Sequence, residues 1–190
     1  TSRGDYVETG RLFISKKFLL TLAVGVIVLA LLAYFVAWPF LLSHFFTAHF
    51  YVEDRRIESW TGRVVVYSDA EKTLPLYEGR LEDGLLQGQG KEYDEAGLLL
   101  YEGAFADGRR EGKGTAYETG LLLYEGEFSA GRYEGEGTLY QGGVLLYEGG
   151  FAGGVQSGEG TAYYANGGVQ YKGAFADGLY EGQGTAYDEQ

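Results

Sequence analysis

Two hydrophobic patterns divide the chain. Residues 18–37, FLLTLAVGVIVLALLAYFVA, are apolar apart from Thr21 and carry no charge. From Tyr77 onward, rings and glycines instead alternate with charged or small residues at period two. Twenty helical residues at about 1.5 Å each reach about 30 Å, the thickness of a bilayer's hydrocarbon core, so the first segment predicts a transmembrane helix. The second pattern predicts strands. In Tyr101-Glu102-Gly103-Ala104-Phe105 the alternate residues Tyr101, Gly103 and Phe105 share one face.

That strand recurs. Opening tyrosines stand at Tyr77, Tyr101, Tyr124, Tyr147 and Tyr171, spaced 24, 23, 23 and 24 residues. Two residues on stands Gly79, Gly103, Gly126, Gly149 or Gly173, and two further on Leu81, Phe105, Phe128, Phe151 or Phe175. A tyrosine closes each copy at Tyr93, Tyr117, Tyr140, Tyr163 and Tyr187. The glycines between the rings leave bare backbone against which a neighbouring aromatic can lie, and Gly108 and Gly112 are expected to bound a tight reversal. Gly114 to Tyr117 is then the return strand, residues 118–120 turn again, and Leu121 begins the next unit. One such unit cannot bury its rings alone, so neighbours must stack.

The quoted stretches YEGAFADG…GKGTAY, YEGEFSAG…GEGTLY and YKGAFADG…GQGTAY resemble MORN repeats over residues 62–190. Spacers such as EAGLLL and ETGLLL are similar to the bacterial variant. The resemblance implies an all-β repeat array of antiparallel hairpins, an elongated twisted sheet, here preceded by one transmembrane α-helix. It implies no catalytic residues. It also implies association with acidic phospholipids or membrane tethering as a possible role.

Charge bears on that role. Residues 1–76 hold 8 Lys+Arg and 7 Asp+Glu, whereas residues 77–190 hold 7 and 20, so the array carries −13 of a formal −12 for the chain. An anionic bilayer repels such a domain, and nucleic acid does so on the same sign. No histidine or cysteine lies in the array and no paired carboxylate stands out, so we expect no enzyme, no cofactor and no metal site. The repeated Glu78, Glu102, Glu125 and Glu148 read as a solvated face, since stacked like charges otherwise cost stability. The closing Asp188-Glu189-Gln190 is expected to blunt the last edge strand.

The expected order is a polar cytosolic tail over residues 1–17, the helix with an aromatic membrane-interface extension over 18–52, a linker over 53–61 and the repeats over 62–190. Arg3, Arg11, Lys16 and Lys17 flank the helix on one side, while the next cations wait until Arg55 and Arg56. This places the N-terminus in the cytosol and the repeats outside, in a cell membrane. A cleaved signal peptide is the rival, disfavoured by the length of the apolar run. Phe45, Phe46 and Phe50 are assigned to lipid or a partner, and His44 and His49 to the interface. Leu98, Leu100, Leu121, Leu123 and Leu146 fall in register ahead of the opening tyrosines. They form either an exposed docking stripe or one that the fold covers. The expected function is a non-enzymatic, membrane-anchored scaffold, an accessory or assembly subunit of a larger membrane complex, with a lipid-binding tether as the alternative.

Overall fold

The computed structural model describes residues 6–9, 12–38 and 46–189, in two compact units, 1–46 and 47–190. In the first unit, β1 (Tyr6–Thr9) and β2 (Leu12–Ser15) pair antiparallel, with Tyr6 opposite Ser15 and Thr9 opposite Leu12. The polar tail thus holds two paired strands, because YVET and LFIS carry β-branched and aromatic residues that favour extended backbone. Helix α1 (Lys16–Leu32) follows and continues through a wider π-helical turn, Ala33–Ala37. Residues Lys17–Val36 are long and apolar enough to cross a membrane, and none of them is buried in the protein. Within it Thr21 returns its hydroxyl to the Lys17 carbonyl at 2.9 Å, which satisfies that group inside the helix. Pro39, His44 and Phe45 lie outside the described residues.

The second unit is a twelve-stranded sheet in strict chain order: β3 (Ala48–Tyr51), β4 (Gly62–Tyr67), β5 (Pro75–Glu82), β6 (Leu85–Tyr93), β7 (Leu99–Ala106), β8 (Arg109–Glu118), β9 (Leu121–Ser129), β10 (Arg132–Gln141), β11 (Val144–Ala152), β12 (Val155–Tyr163), β13 (Val169–Ala176) and β14 (Leu179–Ala186). Every neighbouring pair is antiparallel except β3 with β4. Strand β3 carries the sheet ahead of residue 62 and corrects one expectation. Phe50 is not free for lipid or a partner: opposite Val66, it is 4% exposed. Its ring meets Trp60 edge-on at 5.3 Å and carries the Arg56 guanidinium at 5.0 Å. The supposed linker holds the short 3₁₀ helix Arg55–Ser59, started by Asp54, whose carboxylate accepts from the Arg56 amide. Phe46, by contrast, is exposed.

The core of the sheet is a row of rings on one face. Each opening tyrosine lies flat over two glycines of its own hairpin rather than over those of a neighbour. Gly103 and Gly114 face each other across β7 and β8, and a Cβ on either would collide with the Tyr101 phenol. The same holds for Tyr124 over Gly126 and Gly137, and for Tyr147 over Gly149 and Gly160. The phenols reach past the glycines and donate to the carbonyl three residues on, Tyr101 to Ala104 and Tyr124 to Glu127, both at 3.0 Å. The next repeat then closes the site. Phe128 meets Tyr101 edge-on at 5.0 Å, Phe151 meets Tyr124 at 5.1 Å and Phe175 meets Tyr147 at 4.9 Å. With glycine below and phenylalanine beside, Tyr101, Tyr124 and Tyr147 are fully buried, with no second layer of structure.

The reversals differ from expectation. The hairpin turn is Asp107-Gly108 with φ of 48° and 77°, the two positive values of a type I′ turn, whose twist suits antiparallel strands. Gly112 sits inside β8, after a register slip between Gly103 and Phe105, so it marks a bulge. Thr119, a β-branched residue at φ 51°, occupies the same turn position between repeats.

Two substitutions of opposite sign follow. Gly114→Val forces the Tyr101 ring off its seat and is expected to cost about 1–3 kcal/mol in urea unfolding. Thr119→Asn relieves a left-handed β-branched residue and is expected to add about 1 kcal/mol.

Candidate docking surface

All odd-numbered strands from β5 run the same way, so their first residues gather along one rim of the sheet. There Leu74 is 38% exposed, Leu98 46%, Leu121 48% and Val144 41%. Leu100, Leu123 and Leu146 are half-buried beside them. The stripe is thus split. Its outer members, Leu98 and Leu121, face solvent, whereas Leu100, Leu123 and Leu146 are held partly in the sheet. Register explains the split: bulges between Ala116 and Tyr117 and between Leu139 and Tyr140 set Tyr117 opposite Leu122 and Tyr140 opposite Leu145, shifting the strands just ahead of the opening tyrosine. Tyr117, Tyr140 and Tyr163 are half-buried at this same end.

The opposite rim is built for cohesion. Nine residues after each opening tyrosine stands a residue the sequence pattern does not single out, because its chemistry varies: Leu86, Arg110, Tyr133, Gln156 and Tyr180. Tyr133 stacks flat on Tyr124 at 3.8 Å, Tyr180 on Tyr171 at 3.9 Å, and the Arg110 guanidinium lies 4.8 Å over Tyr101. Arg110 is itself held by Glu92 at 3.0 Å. The backbone carbonyls of these residues accept the turn amide of the following repeat, Gly108 to Leu86, Gly131 to Arg110, Gly154 to Tyr133 and Gly178 to Gln156, at 2.9–3.0 Å. The adjacent acids act likewise: Glu111 accepts from the Ala130 amide at 2.8 Å and Glu134 from Gly153 at 3.0 Å. The Glu111 and Glu134 carboxylates are turn clamps.

The repeated glutamates are also not stacked. Across the sheet the row runs Glu78, Lys91, Glu102, Thr115, Glu125, Thr138, Glu148, Thr161, Lys172, Thr185. A lysine or threonine separates each pair of acids by two strands, about 10 Å, close to a Debye length at 0.1 M salt. Lys91 pairs Glu102 at 3.4 Å and the Tyr163 hydroxyl donates to Glu148 at 3.0 Å. Away from the rings, Lys113, Thr115, Glu125, Glu127 and Glu136 line a groove of about 290 Å³. Among the described residues, no group of three His, Cys, Asp or Glu side chains comes together as a metal site. His49 stacks on Tyr67 and shares a 3.0 Å hydrogen bond with its hydroxyl.

Burial dominates the titration behaviour. It pushes the phenols of Tyr101, Tyr124 and Tyr147 up to about 12. Hydrogen bonds from Arg56 hold the Asp54 carboxyl at about 2.

The family model of the MORN repeat matches residues 77–98, 101–120, 124–143, 147–169 and 171–188, more than half of the chain. No curated protein matches it.

The buried phenols give the array an alkaline limit. Their folded pKa stands above the ordinary 10.0, so the unfolded chain releases these protons first and the stabilisation, complete below pH 10, is lost as pH rises towards 12. Tyrosinate absorbance is expected to show a late phase coincident with loss of the β-sheet circular dichroism signal.

Proposed function

The chain belongs to the MORN-repeat family, and from that premise we propose that it is a non-enzymatic, membrane-anchored scaffold. In this reading its array is of the bacterial type, and it serves as an accessory or assembly subunit of a larger membrane complex. MORN repeats point to protein interaction or membrane binding. The choice between them rests on one observation: Leu74, Leu98, Leu121 and Val144 stay exposed in register along one rim of the sheet. Apolar side chains repeated at strand-pair spacing offer a protein partner a ribbon of contacts, with the half-buried Leu100, Leu123 and Leu146 behind them as a rigid support.

The helix over Lys17–Val36 fits a membrane anchor or a signal sequence. We assign it as a retained anchor with the cytosol on the side of Lys16 and Lys17 and the array outside. Phe46, exposed beyond the helix, adds an interfacial or partner contact, and Phe45 is assigned the same role. Lipid tethering by the array itself is the second reading, favoured by the family and opposed by the −13 charge of residues 77–190.

The triple variant Leu98→Ser, Leu121→Ser, Val144→Ser is expected to lose partner proteins that co-purify with the parent in mild detergent. Its stability should change by less than about 1 kcal/mol, as for exposed sites. Gross unfolding would return these residues to the core, and sedimentation of a 47–190 fragment with anionic vesicles would favour the lipid tether. Since the chain has no native cysteine, Gln141→Cys should react with an impermeant maleimide on intact cells.

A further inference from the structure

Leu74, Leu98, Leu121 and Val144 do not stand alone on their rim. Three residues before each comes Glu71, Glu95, Glu118 or Gln141, all exposed. Four residues after each comes Glu78, Glu102, Glu125 or Glu148, the last three exposed. The apolar stripe therefore runs between two acidic rows, one toward the turns and one inside the strands. The half-buried Leu100 and Leu123 lie between the stripe and the inner row. Between two successive turns, Glu118, Leu121, Leu122, Leu123 and Gly142 help to line a notch of about 30 Å³. Neutralisation within the sheet is partial: Lys91 pairs Glu102 at 3.4 Å, and Lys72 turns to the His49 carbonyl at 2.7 Å.

The fifth copy departs from this pattern while keeping the fold. Tyr171, Gly173 and Phe175 hold the register of the other copies. All three surface positions change together, with Ala165 in place of the outer acid, Gly168 in place of the leucine and Lys172 in place of the inner acid. The fold needs none of the three, and their joint loss ties them to one contact outside the repeat. Spacing selects the occupant of that contact. Successive copies stand two strands apart, about 10 Å. Residues seven apart on an α-helix lie about 10.5 Å along one face, whereas an extended chain returns to one face at about 6.7 Å or about 13 Å. The two acidic rows select charge: they attract cations on both flanks and repel an anionic bilayer, and a second copy of this chain would bring the same acids.

We propose that this rim receives an amphipathic helix of a partner protein, with an apolar residue at every seventh position and lysine or arginine on both flanks; this rests on the docking role assigned above to the leucines. The helix lies across the first four copies. Its apolar residues meet Leu74, Leu98, Leu121 and Val144 in turn, and its cations meet Glu95 and Glu118 on one side and Glu102 and Glu125 on the other. It stops short of Gly168 and Lys172.

The test uses the full chain in detergent micelles and a synthetic peptide of four heptads, with leucine at a and d, lysine at e and g, and alanine or glutamine elsewhere. A photoreactive group at one d position reads the seat by the residues it captures, which partition into the micelle does not supply. Saturable capture is expected within residues 94–98, 118–123 and 141–146. Added salt should weaken it, and Glu95→Gln with Glu118→Gln, both at exposed sites, should weaken it about tenfold while leaving the circular dichroism signal unchanged. Capture elsewhere, indifference to the glutamine pair, or equal affinity for a peptide with glutamate at e and g or with its leucines at period two overturns the proposal. If the serine triple variant loses its co-purifying proteins but the parent chain does not capture the peptide, the helix is overturned and the docking role stands. If the variant keeps those proteins and the peptide seats elsewhere, both are overturned.

Discussion

A tyrosine ring lying flat on two facing glycines is the contact on which the whole sheet depends. In most β-proteins a second layer covers the inner face. Here the backbone itself serves as the floor: removing two side chains per hairpin lets the ring drop onto the strands, so an aromatic that would otherwise stand in solvent is enclosed by one layer. The phenol's hydrogen bond to a carbonyl three residues on holds the ring in place. The phenylalanine of the following repeat seals it from the side. Burial is thus achieved between neighbours, and an isolated unit would leave its ring half open, which couples the copies in a line.

This economy separates cohesion from recognition. The ring face and the rim of turns hold contacts between adjacent repeats, including carboxylates that clamp backbone amides and variable residues that cover the tyrosines. The other rim, where one repeat passes to the next, keeps Leu98 and Leu121 exposed. Across the outer face, threonine and lysine space the acidic residues.

The two units answer different physical demands. The helix near the N-terminus satisfies its own backbone and exposes mostly apolar side chains, which fits a bilayer. The array satisfies its backbone between strands everywhere but at its borders. At one border the parallel strand β3 pairs with β4 and rests Phe50 on Trp60.

Much was legible in the sequence because it follows from period and spacing. Alternation established strands, five tyrosines in phase established the repeats, and an uncharged run of bilayer length established the helix. The register of glycines also identified where backbone lies bare. Other features required neighbours in three dimensions. Phe50 sits in a run that is apolar for either lipid or core, and only its pairing with Val66 decides for the core. Arg110 and Tyr133 share no chemistry, so their common position over a tyrosine emerges only from stacking. Glu111 and Glu134 look like surface charge until the next turn arrives beside them. Leu98 and Leu100 are alike in pattern, yet Leu98 lies in the Asp94 turn and is exposed, whereas Leu100 lies inside β7 and is half-buried. Local periodicity determined which elements form, whereas contacts between successive copies, invisible to any single stretch, decided what each side chain is for.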